Sequence, residues 1–282
     1  MTLRWLVTGA AGMVGHDLRD ALAARGEDVV AFSKAELDIT DSRIVDTMVR
    51  EVRPDVIVNC AAYTKVDAAE ENEHFASAIN GSAVEFLAEG ANAVDALLVQ
   101  LSTDFVFDGT SSTPYEIDDR TAPLSAYGRS KLLGETAASH ANRFVILRTA
   151  WLFGEHGPNF VEAIRNQIRK GTSPLRVVND QRGRPTYTPH LAEAIVRVVQ
   201  SGATGFVQYA DAPECTWFDF AKEIVAQSGA GIEVKPVTTD EFPRPARRPA
   251  YSVLSTERYE RLTGVPPASW QEGLRTYLSR RT

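Results

Sequence analysis

Leu3-Arg4-Trp5-Leu6-Val7-Thr8-Gly9-Ala10-Ala11-Gly12-Met13-Val14-Gly15 is the stretch whose order decides the fold. An apolar run of strand length, Leu3–Thr8, ends on a G-x-x-G-x-x-G turn, and a helical pattern, Val14–Arg25, begins inside that turn. Glycine permits a tight turn and lets another group come close to the backbone. The first N–H groups of the helix have no intrahelical partner and lie at the positive end of its dipole. A glycine turn framed by strand and helix is therefore a cradle for a dinucleotide pyrophosphate, which an isolated glycine turn is not.

Working outward, strand-length apolar runs recur at Asp28–Phe32, Val56–Asn59, Ala96–Leu101 and Phe144–Leu147. Between them, Ser42–Arg53, Phe75–Ala93 and Ala126–His140 carry apolar residues at helical spacing. This alternation predicts an α/β fold with a doubly wound, Rossmann-like parallel sheet and ligands outside the carboxyl ends of its strands. After Trp151 the texture breaks at Gly154, Gly157, Pro158, Pro174, Gly183, Pro185 and Pro189. The expected organisation is a dinucleotide-binding domain over residues 1–150 and a smaller C-terminal α/β lobe for substrate over 151–282. A strand near Arg176–Val178 or Phe206–Tyr209 could return to the first sheet. Phe242-Pro243-Arg244-Pro245-Ala246-Arg247-Arg248-Pro249 is expected to be an extended loop, because repeated proline blocks helical hydrogen bonding.

With 282 residues, 44% hydrophobic and 24% charged, the chain has the balance of an ordinary globular protein with a large core. No stretch reaches the ~20 apolar residues that cross a bilayer. The N-terminal apolar run is interrupted by Arg4 and lacks a signal-peptide layout. Net charge −7 argues against a general nucleic-acid binder. The two cysteines, Cys60 and Cys215, form neither a disulfide framework nor a zinc pattern, and a reducing, cytoplasmic setting fits them.

Gly9, Gly12, Met13, Val14 and Gly15 are the candidate pyrophosphate contacts. The second strand ends Phe32-Ser33-Lys34, with no carboxylate to repel a ribose 2′-phosphate. Ser33 and Lys34 favour NADPH, with NADH as the alternative, although Lys34 also reads as a solvated surface lysine. Asp38 and Ile39 are candidates to meet the adenine, and Asp38 reads equally as a helix cap. Small residues after the third strand, Ala61 and Ala62 before Tyr63, would let the backbone approach the cofactor. Cys60 reads as packing, since no histidine partner stands nearby.

The fourth strand closes on Ser102-Thr103-Asp104, and Tyr127-Gly128-Arg129-Ser130-Lys131 places a phenol and an ammonium on one helix face. Tyr-x-x-x-Lys alone is common. Following the glycine turn and the two strand ends in this order, it marks Tyr127 as proton donor, with Lys131 expected to favour its ionised form and Thr103 to hold a substrate carbonyl.

Together with Arg53-Pro54-Asp55-Val56-Ile57-Val58-Asn59, Ser102–Gly109, Arg148-Thr149-Ala150-Trp151 and Asn179–Thr186, these residues resemble the extended short-chain dehydrogenase/reductases and, more narrowly, the dTDP-4-dehydrorhamnose reductases. The resemblance covers nearly the whole chain. It implies reduction by NADPH of C4 of a dTDP-4-keto-6-deoxysugar, with Lys131 also binding the nicotinamide ribose. Val66, Thr103, Asp104, Tyr127 and Trp151 would face the sugar, and Asn80 would support the local backbone or a proton relay. Trp151 also reads as a core aromatic. Arg184, Arg247 and Arg248 are candidates for the substrate diphosphate, each equally readable as a surface arginine. Some relatives bind Mg²⁺ through glutamates at a dimer interface; here Pro189 stands where an acidic ligand would align, beside His190. No metal site is therefore expected, and a monomer or weak homodimer is. Two alternatives accompany this reading: a 4-ketoreductase for another dTDP-deoxysugar, and a non-catalytic nucleotide-binding subunit like that of methionine adenosyltransferase.

Overall fold

The computed structural model describes residues 2–280, so the outermost ends of the two expected units lie outside the described residues. The first half is β1 (Arg4–Thr8), α1 (Met13–Ala23), β2 (Asp28–Phe32), α2 (Ser42–Val52), β3 (Val56–Asn59), α3 (Val66–Glu71), α4 (Glu73–Ser77), α5 (Ala83–Val94), β4 (Leu97–Thr103), α6 (Ala126–Ala138) and β5 (Phe144–Thr149). Then follow β6 (Leu152–Phe153), α7 (Phe160–Arg169), β7 (Leu175–Val178), β8 (Arg182–Gly183), β9 (Thr186–Tyr187), α8 (Thr188–Gln200) and β10 (Gly205–Gln208). The chain closes with β11 (Cys215–Thr216), α9 (Trp217–Gln227), β12 (Val234–Val237), α10 (Glu257–Thr263) and α11 (Trp270–Ser279).

Six strands form one parallel sheet in the order β10-β5-β4-β3-β1-β2, the doubly wound class expected. Both faces are covered. Trp5, Val7, Val56, Val58, Val99, Val145 and Leu147 pack with α1 and α8, whereas Leu6, Ile57, Leu98 and Ile146 pack with α2, α5 and α6. Alternate residues of each strand thus bury on opposite sides, which is why the strands read as continuous apolar runs. Leu18 and Leu22 of α1 are fully buried under the sheet; truncating either to alanine would cost about 2–5 kcal/mol. Winding direction reverses between β1 and β3, and the crevice at their carboxyl ends is where such sheets bind ligands.

β4 and β5 each run two residues beyond expectation, so Thr103 is the last residue of its strand. The helix expected over Phe75–Ala93 is broken by a π-helical turn at Ala78–Ser82. Apolar periodicity continues through that turn and could not reveal it. α6 passes so close that a Cβ on Gly134 would lie 2.0 Å from the Asn80 carbonyl oxygen.

Of the two segments considered for return to the sheet, Phe206–Gln208 joins it through β10, beside β5. β7 pairs with β12 instead. Three two-stranded pieces, β6-β9, β7-β12 and β8-β11, surround a second core of Phe153, Tyr187, Phe220, Trp270 and Tyr277. A capping box between Thr216 and Asp219 starts α9. The Arg/Pro-rich stretch holds no helix or strand. Among the described residues, no helix is long and apolar enough to cross a membrane.

Candidate active site

Gly9 adopts φ +63°, and a Cβ there would stand 2.5 Å from the Ala61 nitrogen. A Cβ on Gly15 would stand 2.5 Å from the Gly9 carbonyl oxygen. The turn after β1 is therefore packed backbone to backbone against the exit of β3, and only glycine satisfies both approaches. Gly12 is the N-cap of α1 and supplies no side chain to its first N–H groups. This donor set fits a pyrophosphate. Met13 lies half-buried beside Gly157, while Val14 is buried in the core.

From the turn a groove of about 470 Å³ leads between α1 and β2, lined by Ala10, Ala11, Arg19, Ala31, Ser33 and Glu36. Beside the turn, where the Ala10 N–H donates to the Phe32 carbonyl at 3.0 Å, the Ser33 N–H and hydroxyl both donate to Glu36 Oε2, at 2.8 Å each. The end of β2 thus does carry a carboxylate, contrary to the sequence reading, because a tight turn folds Glu36 back from three residues further on. Those bonds hold its pKa below the usual carboxylate range. Lys34 is exposed. The Asp38 carboxylate accepts from the Thr40 N–H and hydroxyl, so it closes its own turn, and Asp41 caps α2. Ile39 is buried in the core.

A buried polar string runs under the carboxyl ends of the strands. Thr8 Oγ1 donates to Asn59 Oδ1 at 2.6 Å, Asn59 Nδ2 to Gln100 Oε1 at 2.8 Å, and Gln100 Nε2 to the Leu101 carbonyl at 2.9 Å. Lys131 Nζ donates to the same carbonyl at 2.6 Å. The strand that carries the glycine turn is thereby tied to the lysine of α6. Ala61 N–H donates to Asn59 Oδ1, and Ala62 is exposed. Asn80, in the π turn, accepts from the Tyr63 N–H and donates to the Tyr63 carbonyl and to Ser130 Oγ. Its place is to brace the backbone beside the crevice. Burial pushes the Cys60 thiol up to about 12, which leaves it protonated and inert.

Ser125 caps α6 by accepting from the Gly128 N–H, placing Tyr127 in the first turn and Lys131 one turn later. Tyr127 lies beside Thr103, whose hydroxyl donates to Asp104 Oδ1 at 3.1 Å and accepts from the Phe105 N–H at 3.2 Å, and burial raises the Tyr127 phenol to about 12. Lys131 is 4% exposed, and burial lowers its ammonium to about 8. Sequence spacing suggested that the lysine would draw the phenol down; burial wins instead. Asp104, adjoining Thr103, is also buried, which raises its carboxyl to about 7. Beneath this group Glu135 makes a two-point ion pair with Arg148, 2.8 Å on each arm, and accepts from Ser102 Oγ at 2.6 Å. The Arg148 guanidinium sits between the rings of Phe107 and Phe206. Sequence reasoning quoted Arg148 without finding this partner, which only the topology brings near.

The remaining candidates divide. Val66 opens α3 and is half-buried. Trp151, at φ +46°, stacks on Trp217 with ring centroids 3.6 Å apart and covers Gly183. Arg184 is half-buried, with Nε lacking a hydrogen-bond partner; desolvation lowers its pKa. Arg247 is exposed. Arg248 is engaged by both oxygens of Asp67, 3.0 Å each, tying the basic loop to α3. It is a clamp on that loop rather than a free phosphate ligand. His190, in the first turn of α8, pairs with buried Asp211 at 2.8 Å. Three ligand-type atoms of His16, Asp17 and His156 lie within 4.8 Å of one another, a grouping that the sequence reading did not foresee. The two imidazoles stack face to face, with centroids 3.4 Å apart.

The family model described as the RmlD substrate binding domain matches residues 3–282. The chain is 45% identical to a probable dTDP-4,6-dihydroxy-2-methyloxan-3-one 4-ketoreductase of Streptomyces antibioticus, over 97% of this chain and 94% of that one. It is 42% identical to a dTDP-4-dehydrorhamnose reductase of Mycolicibacterium smegmatis, over 97% and 84% of the two chains. Its fold superimposes with TM-score 0.94 and 37% identity on a dTDP-4-dehydrorhamnose reductase of Bacillus anthracis in complex with NADP, covering 99% of this chain and 100% of that one. With the glycine cradle, the Thr103–Tyr127 pair and full-length coverage in agreement, the chain belongs to the RmlD substrate binding domain family.

Proposed function

We propose that this protein is a cytoplasmic, NADPH-dependent reductase, monomeric or weakly dimeric, that converts dTDP-4-dehydro-β-L-rhamnose to dTDP-β-L-rhamnose. The observation that carries the proposal is the placement of Tyr127 beside Thr103 at the carboxyl end of β4, next to the β1/β3 crevice and its glycine cradle. Bound NADPH supplies a hydride to the C4 carbonyl. Thr103 orients that carbonyl from the strand end. Tyr127 is fully protonated at neutral pH, since its phenol titrates near 12, and a sugar alkoxide is a stronger base than a phenolate. The proton therefore moves from Tyr127 to the substrate oxygen as negative charge develops there, which is general acid catalysis by a weak acid matched to a strong base. Lys131, on the same face, then stabilises the phenolate left behind. The stacked Trp151–Trp217 pair is the aromatic element on which the sugar would pack. Arg184, half-buried with an unpartnered nitrogen, is the best remaining candidate for the diphosphate.

The 45% identity to a 4-ketoreductase of Streptomyces antibioticus favours a second reading, reduction of a different dTDP-4-keto-6-deoxysugar. Both use the same proton donor and differ in the sugar face presented to it. A non-catalytic nucleotide-binding role would not require the intact Thr103, Tyr127 and Lys131 set. Incubation with NADPH and a panel of dTDP-4-keto-6-deoxysugars, read by loss of reduced-nicotinamide absorbance and product stereochemistry by NMR, tests all three. NADPH oxidation with the rhamnose precursor and an L-rhamno product supports the first reading, and oxidation with another sugar alone supports the second. No oxidation with any member of the panel defeats both.

A further inference from the structure

We propose that Asp104 is a positioning residue for the reduction: only with its carboxyl protonated can Thr103 turn its hydroxyl hydrogen toward the substrate carbonyl. This rests on the reading of Thr103 as the residue that holds that carbonyl. A hydroxyl has one hydrogen to give and two lone pairs to receive with. Thr103 Oγ1 uses one lone pair on the Phe105 N–H at 3.2 Å, and Asp104 Oδ1 stands 3.1 Å from it. An ionised carboxylate accepts and never donates, so it takes the Thr103 hydrogen and leaves that residue nothing to offer a ketone oxygen, which is itself only an acceptor. Protonation of Asp104 reverses the bond. The carboxyl O–H then donates to Thr103 Oγ1, both lone pairs are filled, and the hydroxyl hydrogen is released for the substrate carbonyl.

The surroundings make both forms accessible near neutral pH. Asp104 is 2% exposed, and its Oδ2 is buried without a hydrogen-bond partner. A bare buried oxygen is far more costly on a carboxylate than on a neutral acid. Burial accordingly raises the group to about 7, with Ser252 and Thr103 acting in the opposite direction. From α6 its titratable neighbour is Tyr127, whose phenol feels the Asp104 charge. From the segment after the basic loop it meets the neutral hydroxyl of Ser252. The charged side chains nearby are engaged elsewhere: Lys131 with the Leu101 carbonyl, Glu135 and Arg148 with one another, and Arg248 with Asp67. The direction of the Asp104–Thr103 bond is thus set by the proton on Asp104, one residue away from the contact it controls.

Two measurements test this. The first is kcat/KM for the preferred dTDP-4-keto-6-deoxysugar with NADPH, from about pH 5.5 to 9, in the unmodified protein and in Asp104→Asn. The unmodified value should fall above about 7, by about tenfold per pH unit, with a second fall where Lys131 titrates near 8. Asp104→Asn cannot ionise, so whichever way its amide sits it should lose the first fall and keep the second. Its NADPH dissociation constant should stay within about twofold of the parent, which checks that the variant is folded. The second measurement is proton uptake when the keto-sugar binds the protein loaded with NADP⁺, read at about pH 8 by calorimetry in two buffers of different ionisation enthalpy. If holding the carbonyl requires a protonated Asp104, binding must draw in up to about 0.9 proton. Thr103→Val, with no hydroxyl to turn, should lose that uptake. A fall near 7 that persists in Asp104→Asn, or uptake below about 0.2 proton in the unmodified protein, overturns the proposal while the reductase reading stands. Absence of NADPH oxidation with every sugar defeats that reading instead.

Discussion

Replacing Lys131 with methionine should abolish turnover and make the protein more stable at neutral pH. The ammonium is 4% exposed, and burial lowers its pKa from 10.5 to about 8. A cation whose folded pKa lies below its unfolded value holds its proton less tightly in the native state. Between pH 8 and 10.5 the unfolded chain binds the extra proton, so native stability rises with pH through that window. The penalty is fully present below about 8 and gone above 10.5, and its size is about 3 kcal/mol. Little opposes the gain in the variant. The Leu101 carbonyl that Lys131 meets also accepts from Gln100 Nε2 at 2.9 Å, so it stays satisfied. Glu135, the nearby carboxylate, keeps its two-point pair with Arg148. Methionine fills much of the volume of the lysine stem and adapts to irregular gaps. Urea unfolding at pH 7 should show Lys131→Met more stable by about 2–3 kcal/mol, or roughly 4–10 °C in Tm. That advantage should decline steadily as pH rises from 8 to 10.5. A variant less stable than the parent at pH 7, or an advantage that does not change with pH, would refute the argument that desolvation of this lysine outweighs its hydrogen bond.

Three further outcomes follow from the same site. Tyr127→Phe should lower kcat about 10²–10⁴-fold while leaving the NADPH dissociation constant within twofold, since only the proton donor is lost; unchanged turnover with the preferred sugar would remove Tyr127 from its role. Glu135→Gln leaves Arg148 charged between two rings and should cost about 3–5 kcal/mol in denaturant unfolding, whereas the double replacement by methionine should recover most of it; a single variant within 1 kcal/mol of the parent, about the weight of an exposed pair, would contradict this. Asp104→Asn tests a buried carboxyl raised from 3.8 to about 7. There the folded state holds the proton more tightly, so native stability falls as pH climbs from about 4 to 7, by about 4 kcal/mol. The asparagine variant should not share that fall, and parallel stability curves for the two proteins would exclude a titrating Asp104.

Legibility in the sequence followed the range of the interactions. The glycine turn could be read because strand, turn and helix are contiguous, and Tyr127 with Lys131 because one helical turn separates them. Strand positions were visible because both faces of the sheet are buried, which writes an unbroken apolar run into the chain. Glu36 was missed though only three residues from Ser33, since a carboxylate in a polar loop points outward as readily as back, and only the turn's geometry decides. The Arg248–Asp67 clamp spans 181 residues, and no local pattern can pair an arginine in a basic loop with one acidic residue among many. The Glu135–Arg148 pair is hidden for a related reason: a helix and the following strand bring the two together on one face of the sheet, and burial of a charge cannot be read until its partner is known.

The error about Tyr127 has the most chemical content. Spacing gave the right residues and the wrong electrostatics, because an ammonium one turn away was credited with lowering the phenol while both groups were being removed from water. Burial acts on each in the direction of its neutral form, lowering Lys131 and raising Tyr127. The result favours one direction of reaction. A phenol near 12 is a poor base at neutral pH and a fully loaded acid, so the resting site is set to give a proton to a carbonyl oxygen rather than take one from an alcohol. For the oxidative direction the phenolate must be formed, and its population rises tenfold for each pH unit until the phenol titrates. The reverse reaction, assayed with the alcohol product and NADP⁺, should therefore accelerate with pH up to about 8 and level off above it rather than near 12, because Lys131, whose charge holds the phenolate, titrates near 8 itself. A reverse rate that climbs without a break to pH 10 would show that the lysine's charge is not needed once the phenolate exists.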